Sequence, residues 1–456
     1  MRAAAIATVM AALLGRLTPI ASQDHYSRAF MIEYGGEAFA TVRAGCARCD
    51  WGVAGRESVA LTVTLDGKYS QHLQLVRGET TADYRISLGH VAKGLHRLTL
   101  DRDRALSASG AGPATIDVPD IAFYNPGKSN DYTALSMAPI LYARENTVGR
   151  FTDLPLVMWY EVVPTARGRQ YRYSVIFSNE DGGTKTDRLM ATWGRTTDIE
   201  FVYGVEVDAA DRVLAEEFQG PGHEVPAFTG KHEGRHPLLW VSTDNNMVSE
   251  TGPSTIRYAP MAVKFDLTDQ AREAVMDAHP WTYAIASVEM QREGKIADDP
   301  PPGIDKIADP RRFVFVEACG TIGRAALAIS IARRQSSVVG RQSPVGSREP
   351  SVDDLIWTPS DRGLPQYRIV RDGCFTIATP MPAATRATDV RAIRVHAFAR
   401  PPEQDEAPAA PDPVQFMRIN KVFMLDEHFL PGPSILRWEG PASIRAGGDP
   451  LEVRIP

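Results

Sequence analysis

Two acids, Asp198 and Glu200, open a run of alternating apolar and polar residues from 197 to 208. On a strand, residues i and i+2 share a face and lie roughly 6.5–7 Å apart. Carboxylates at that spacing can lean onto one hard cation, which takes oxygen ligands at about 2.0–2.6 Å. The preceding segment supplies Asn179, Glu180, Asp181 and Asp187, with Gly182 and Gly183 permitting tight turns. Downstream, Asp244, Asn245 and Asn246 follow an apolar run. Such triplets ligate calcium through oxygen or bind sugar hydroxyls, and they also make ordinary Asx turns. The candidate calcium or magnesium ligands are therefore Asp198 and Glu200, with Asp181 and Asp244 as outer members. Asn245 and Trp193 are the candidate ligand contacts. The plain alternative is a half-buried strand with an acidic wet face.

A second constellation is His232-Glu233-x-x-His236, a literal zinc-protease match. That chemistry needs both histidines one turn apart on a helix, with the glutamate as base. Gly230, Gly234 and Pro237 bound the motif too tightly for a helix, so a loop is expected. A loop zinc site from His223, His232 and His236 is a separate alternative. No G-x-S-x-G elbow, P-loop or G-x-G-x-x-G fingerprint occurs. Paired acids could also serve glycoside hydrolysis, but nothing in the spacing selects a pair.

These residues need elements to hold them. The 456 residues carry 43% hydrophobic and 23% charged side chains, enough for about three domains with their own cores. A net charge of −6 gives no electrostatic footprint for nucleic acid. Residues 1–23 read as a secretory signal: Arg2, an apolar run over 3–15, and small residues near Ala21. No other stretch is apolar for long enough to span a membrane. In an exported chain the four cysteines form two disulfides, Cys46–Cys49 and Cys319–Cys374.

The fold class read from the pattern is mainly β, a series of β-sandwiches. Residues 27–122 read as an immunoglobulin-like or carbohydrate-binding-like sandwich, with a hairpin at Asp66-Gly67. Residues 123–296 read as a central sandwich whose C-terminal part, about 268–293, turns helical in two segments that cover a sheet face. A proline-rich linker, 297–310, leads to a β-rich third domain over 311–456. The tracts 334–351 and 400–413 read as mobile insertions.

Residues 194–200, GRTTDIE, resemble the Gly-His-Arg-His-Asp-Trp-Glu heptapeptide of necrosis-and-ethylene-inducing-like proteins. Gly194, Asp198 and Glu200 match, while Arg195 and Thr197 stand at the two histidine positions. The region 138–250 is also similar to the vacuolar-sorting-associated β-sandwich family of plants and fungi. The resemblance implies a sandwich with a divalent-cation site at Asp198 and Glu200. Together these readings give an exported, secreted or periplasmic, protein that binds a glycan or polyol headgroup of the cell envelope through calcium or magnesium. The alternatives are a metal-assisted hydrolase and a structural surface protein without a small-molecule site.

Overall fold

The computed structural model describes residues 22–145, 147, 149–334, 355–400 and 411–455. The expected signal segment, up to residue 21, and most of the two low-complexity tracts lie outside the described residues. The fold is mainly β, and among the described residues the strands form six sheets, two in each of three units.

In the first unit one sheet runs in the order Ser22–Gln23, Ala114–Tyr124, Gly36–Cys46, Ala82–Val91. The facing sheet runs His25–Ile32, Gly94–Asp103, Ala60–Leu65, Lys68–Gln74. Numbered along the chain, the strands alternate as 1-8-3-6 against 2-7-4-5, the order of a jelly roll. Asp66 and Gly67 both take positive φ, 51° and 74°, and close the expected hairpin as a two-residue turn. Cys46 and Cys49 are bonded to each other inside this core.

The central unit faces a sheet of Val213–Glu217, Asp198–Val207, Gly168–Phe177, Pro155–Thr165 and Val263–Lys264 against a second one. The second sheet contains His232–Glu233, His236–Val241, Ile140–Tyr142 and Arg257–Tyr258, with Val248–Ser249 beside it. Four short helices belong to the described chain: α1 (Tyr132–Ser136), α2 (Thr186–Trp193), α3 (Ala274–Ala278) and α4 (Trp281–Arg292). The two segments expected over 268–293 are α3 and α4. Val275, Met276, Tyr283 and Met290 pack on Val157, Trp159, Ile176 and Ile199, so these helices do cover a sheet face.

The third unit pairs sheets ordered Gly373–Pro380, Phe313–Thr321, Val414–Phe423, Leu436–Ile444 and Leu355–Pro359, Ala325–Arg334, Val390–Ala399, Leu451–Arg454. Cys319 and Cys374 lie opposite each other on neighbouring strands and are bonded. Phe313, Phe315, Phe423 and Phe429 leave this unit's own core and join the helical cluster, which welds the third unit to the central one. The proline-rich linker is held down on the way. Gly303 N–H donates to Asp187 at 2.7 Å, Thr186 N–H donates to Asp305 at 2.9 Å, and Ile307 and Ala308 are buried.

The alternation over 197–208 needs one correction. Tyr203 faces Tyr173 and Phe201 faces Ser174, so Val202 is an extra residue, a β-bulge. A bulge inverts the face on which the following side chains lie. Ile199 packs under the helices, whereas Tyr203, Val205 and Val207 fill the space between the two central sheets. The apolar residues of this strand therefore do not share one face. Nor is the other face wet, because Asp198 and Glu200 are 2% and 9% exposed.

Candidate functional site

Local sequence explains how the acids reach their places. The segment Thr186–Trp193 is helical, not a loop, and Gly194 ends it in the left-handed conformation at φ 60°. Gly194 N–H donates to Met190 O at 3.0 Å, the bond expected of a helix C-terminal cap. A Cβ at Gly194 would come within 2.5 Å of Thr376 Cγ2 of the third unit. This glycine therefore meets both a backbone and a packing demand. The turn after α2 feeds directly into the strand that carries Asp198 and Glu200.

Trp193, Asn245, Asp198 and Glu200 line one cleft of about 440 Å³ between the central and third units. Glu180, Arg195, Gln219, His223, Arg272, Glu273 and Arg371 contribute to the same walls. Asp198 accepts from Asn246 Nδ2 at 3.0 Å, and Glu200 accepts from Gln219 Nε2. The Arg195 guanidinium lies 3.9 Å from Asp198 and is spent mainly on Glu273, at 2.9 Å. Arg371 donates to Thr192 O at 2.7 Å and lies 5.3 Å from the centre of the Trp193 ring. One face of that indole is thus braced by a cation.

The cleft is short of positive charge for its acids. Burial raises the Glu200 carboxyl to about 9, with the negative charge of Asp198 adding to it. Burial and Asp198 likewise lift Glu180 to about 7. Burial raises Asp198 itself, against the pull of Arg195. Burial also lowers Arg371 to about 10. A desolvated acid beside another acid resists losing its proton, so the Asp198–Glu200 pair favours holding one between them. Hydroxyl-rich molecules suit such a mixture of donors and acceptors beside an aromatic wall.

Asp181 and Asp244 lie elsewhere. Both are bonded to the guanidinium of Arg144, Asp181 at 2.8 Å, together with the buried Asp153. They line a neighbouring polar cleft with Arg150, Arg292, Glu293 and Lys295. The four acids read from sequence as one group are thus two pairs in two clefts. Asn246 joins them, since its Nδ2 reaches Asp198, Asn179 O and, at 3.5 Å, Asp153. Asp187 serves packing, accepting from Tyr367 Oη at 2.8 Å.

The zinc-protease match does not survive. Glu233 and His236 face each other across a tight hairpin, not along a helix. His232 binds Glu216 at 2.8 Å and Glu233 binds Arg257 at 2.6 Å. His236 is buried between Glu37, at 3.0 Å, and Ala138 O, at 2.7 Å. Of the three histidines considered, only His223 borders the Asp198 cleft. Among the described residues, no group of three or more His, Cys, Asp or Glu is arranged to hold a metal ion.

Arg195, Gln219, Glu273 and Arg371 were not read from sequence as site residues, and Asn246 was read only as a member of the Asp244–Asn246 triplet. Glu273 and Arg371 come from segments far along the chain, and no spacing could have pointed to them. Gln219 and Asn246 are ordinary polar residues near strand ends, with Asn246 at a positive φ of 53°.

No family model matches the chain, and no curated protein matches it. Solved structures of NLPPya in complex with mannosamine and with glucosamine are similar over 31% of this chain and 75% of that chain. Each is 11% identical, with a TM-score of 0.24. NLPPya is a necrosis-and-ethylene-inducing-like protein, of the group that residues 194–200 resemble. A ruminal GH26 endo-beta-1,4-mannanase is similar over 28% of this chain and 29% of its own length, at 10% identity and a TM-score of 0.16.

Proposed function

We propose that this chain is an exported binding protein for a glycan or polyol headgroup, seated in the cleft lined by Asp198, Glu200, Trp193 and Asn245. One observation carries the reading. A polar cleft of small-molecule size brings buried acids lacking a full complement of cations beside an aromatic side chain. Sugar rings offer hydroxyls to such acids and a C–H face to the indole. Two disulfides fit an oxidising compartment outside the cytoplasm. No helix among the described residues is long and apolar enough to cross a membrane.

Calcium or magnesium fits here as a shared ion. Asp198 would supply one anionic oxygen and Glu200 a second once the ion displaces its proton, and ligand hydroxyls with water would complete the shell, as is common for magnesium. The cation would offset the burial that raises both carboxyls. With only these two protein ligands, ion and ligand bind together, and the ion alone binds weakly.

The test is a glycan array probed with the mature protein in calcium, in magnesium and in chelator, followed by calorimetry on the strongest hit. Saturable binding weakened by chelator is expected. An array with no signal in any buffer would leave the chain a structural surface protein. Hydrolysis is favoured by a single feature: burial and the charge of Asp198 raise Glu180 toward the neutral range in which a general acid or base works. Release of reducing ends from a bound glycan, lost in Glu180→Gln, would establish that reading.

A further inference from the structure

A second cleft, of about 430 Å³, lies between the first and central units. Its volume falls within the roughly 300–1,000 Å³ of small-molecule sites. Unlike the Asp198 cleft, its floor is apolar: Val76, Leu156, Met158, Tyr258, Met261 and Trp281 all line it. The walls are fixed rather than loose. Gln71 ties the units together, donating to Ser87 O and accepting from Ala259 N–H at 2.9 Å. Ser87 N–H donates to Ala259 O at 2.8 Å and Met261 N–H donates to Arg85 O at 2.9 Å.

The lining residues that reach solvent, Arg85 and Asp83 with the half-buried Arg77, form the mouth. Asp83 is bonded to Arg43 at 2.8 Å and also feels the charges of Arg85 and Arg77, so two arginines face one shared acid there. Among the described residues neither Arg77 nor Arg85 has an ion pair of its own. Arg77 instead lies 5.3 Å from the centre of the Trp281 ring, where it spans the boundary between mouth and floor. His279 lines the same wall, and burial lowers its pKa, which keeps it neutral and able to share a hydrogen bond.

We propose that this cleft binds an anionic amphiphile, a molecule with one carboxylate and an unbranched apolar tail. The tail lies on Leu156, Met158 and Trp281, and the carboxylate meets Arg77 and Arg85. Arginine forks suit a carboxylate bidentately, and each methylene buried is apolar surface taken out of water, so head and tail both contribute.

The probe is sodium dodecanoate below its micellar concentration, titrated into the full mature chain by calorimetry, with dodecanol as the uncharged control. One saturable site is expected, at least tenfold weaker for dodecanol and in Arg77→Gln/Arg85→Glu. Val263→Trp, which places a bulky ring in the cleft, should abolish binding. Because Arg85 is exposed, Arg85→Glu alone keeps the test usable if the tryptophan variant does not fold. Asp198→Asn should bind dodecanoate normally, which separates this site from the glycan cleft. Absence of saturable binding, equal affinity for dodecanol, or indifference to the arginine changes would each overturn the proposal.

Discussion

Two groups of acids lie side by side in the central unit, and they are neutralised differently. Asp153, Asp181 and Asp244 converge on Arg144, whose guanidinium meets all three. Asp198, Glu200 and Glu180 share a cleft in which the guanidinium of Arg195 is bonded to Glu273 at 2.9 Å and reaches Asp198 only at 3.9 Å. The first group is a structural clamp between the Arg144 turn and two loops at the sandwich end. The second group has a smaller share of cations: Asp198 meets Arg195 only at 3.9 Å, and its acids line an open cleft rather than a closed ion-pair cluster. Acid-rich sequence is therefore a poor guide to a site. What separates a clamp from a site is whether a cation of the protein already answers the charge.

The comparison breaks first at Arg144. Arg144→Ala leaves Asp153 buried without its cation, and removing one partner of a buried pair costs about 3–5 kcal/mol. Thermal or urea unfolding should register that loss, whereas Asp198→Asn or Glu200→Gln should cost far less or stabilise. Equal destabilisation by both would erase the distinction drawn here.

A second break is pH. Glu200 holds its proton to about 9 when folded, against about 4.5 when unfolded. Between those values the folded state binds the extra proton, so stability is greatest at the acid end and falls as pH rises. Each pH unit in that window costs up to about 1.4 kcal/mol for one such group. Glu200→Gln should flatten the slope between pH 5 and 9 in denaturation curves. Bound calcium should flatten it too, by displacing the proton, and calcium affinity in the presence of glycan should rise with pH.

Smaller effects sharpen the same line. Trp193→Ala should weaken glycan binding roughly tenfold, about 1.4 kcal/mol, and Asn245→Ala about three- to tenfold, the value of one hydrogen bond. Both are read by calorimetry on the array hit. Asp244→Ala should change stability least, by under about 1 kcal/mol, since its side chain is 64% exposed and salt screens it. A larger loss would make Asp244 an indispensable part of the clamp.

Much of the architecture was legible. The Asp66-Gly67 hairpin, the two helices before the linker and the strands on either side of them all follow from local pattern. Both cysteine pairs follow from number and compartment. The bulge at Val202 was not legible, because the sequence keeps alternating apolar and polar residues straight through it. Helix α2 was hidden by the acidic, glycine-rich run before it, although Gly194 after eight helical residues is a readable stop signal. Asp198, Glu200, Trp193 and Asn245, read from sequence at or near element ends, line one cleft. Separating them from Asp181 and Asp244 needed Arg144, which binds Asp244 from 100 residues away. Recognising the charge deficit needed Arg195 and Glu273, 78 residues apart.

The most direct test is a paired calorimetric titration of the array-selected glycan, with calcium present. Asp198→Asn/Glu200→Gln and Asp181→Asn/Asp244→Asn are each compared with the unmodified protein. Loss of binding in the first variant, with retention in the folded fraction of the second, is the predicted result. Unchanged affinity in the first, or loss confined to the second, would contradict the account.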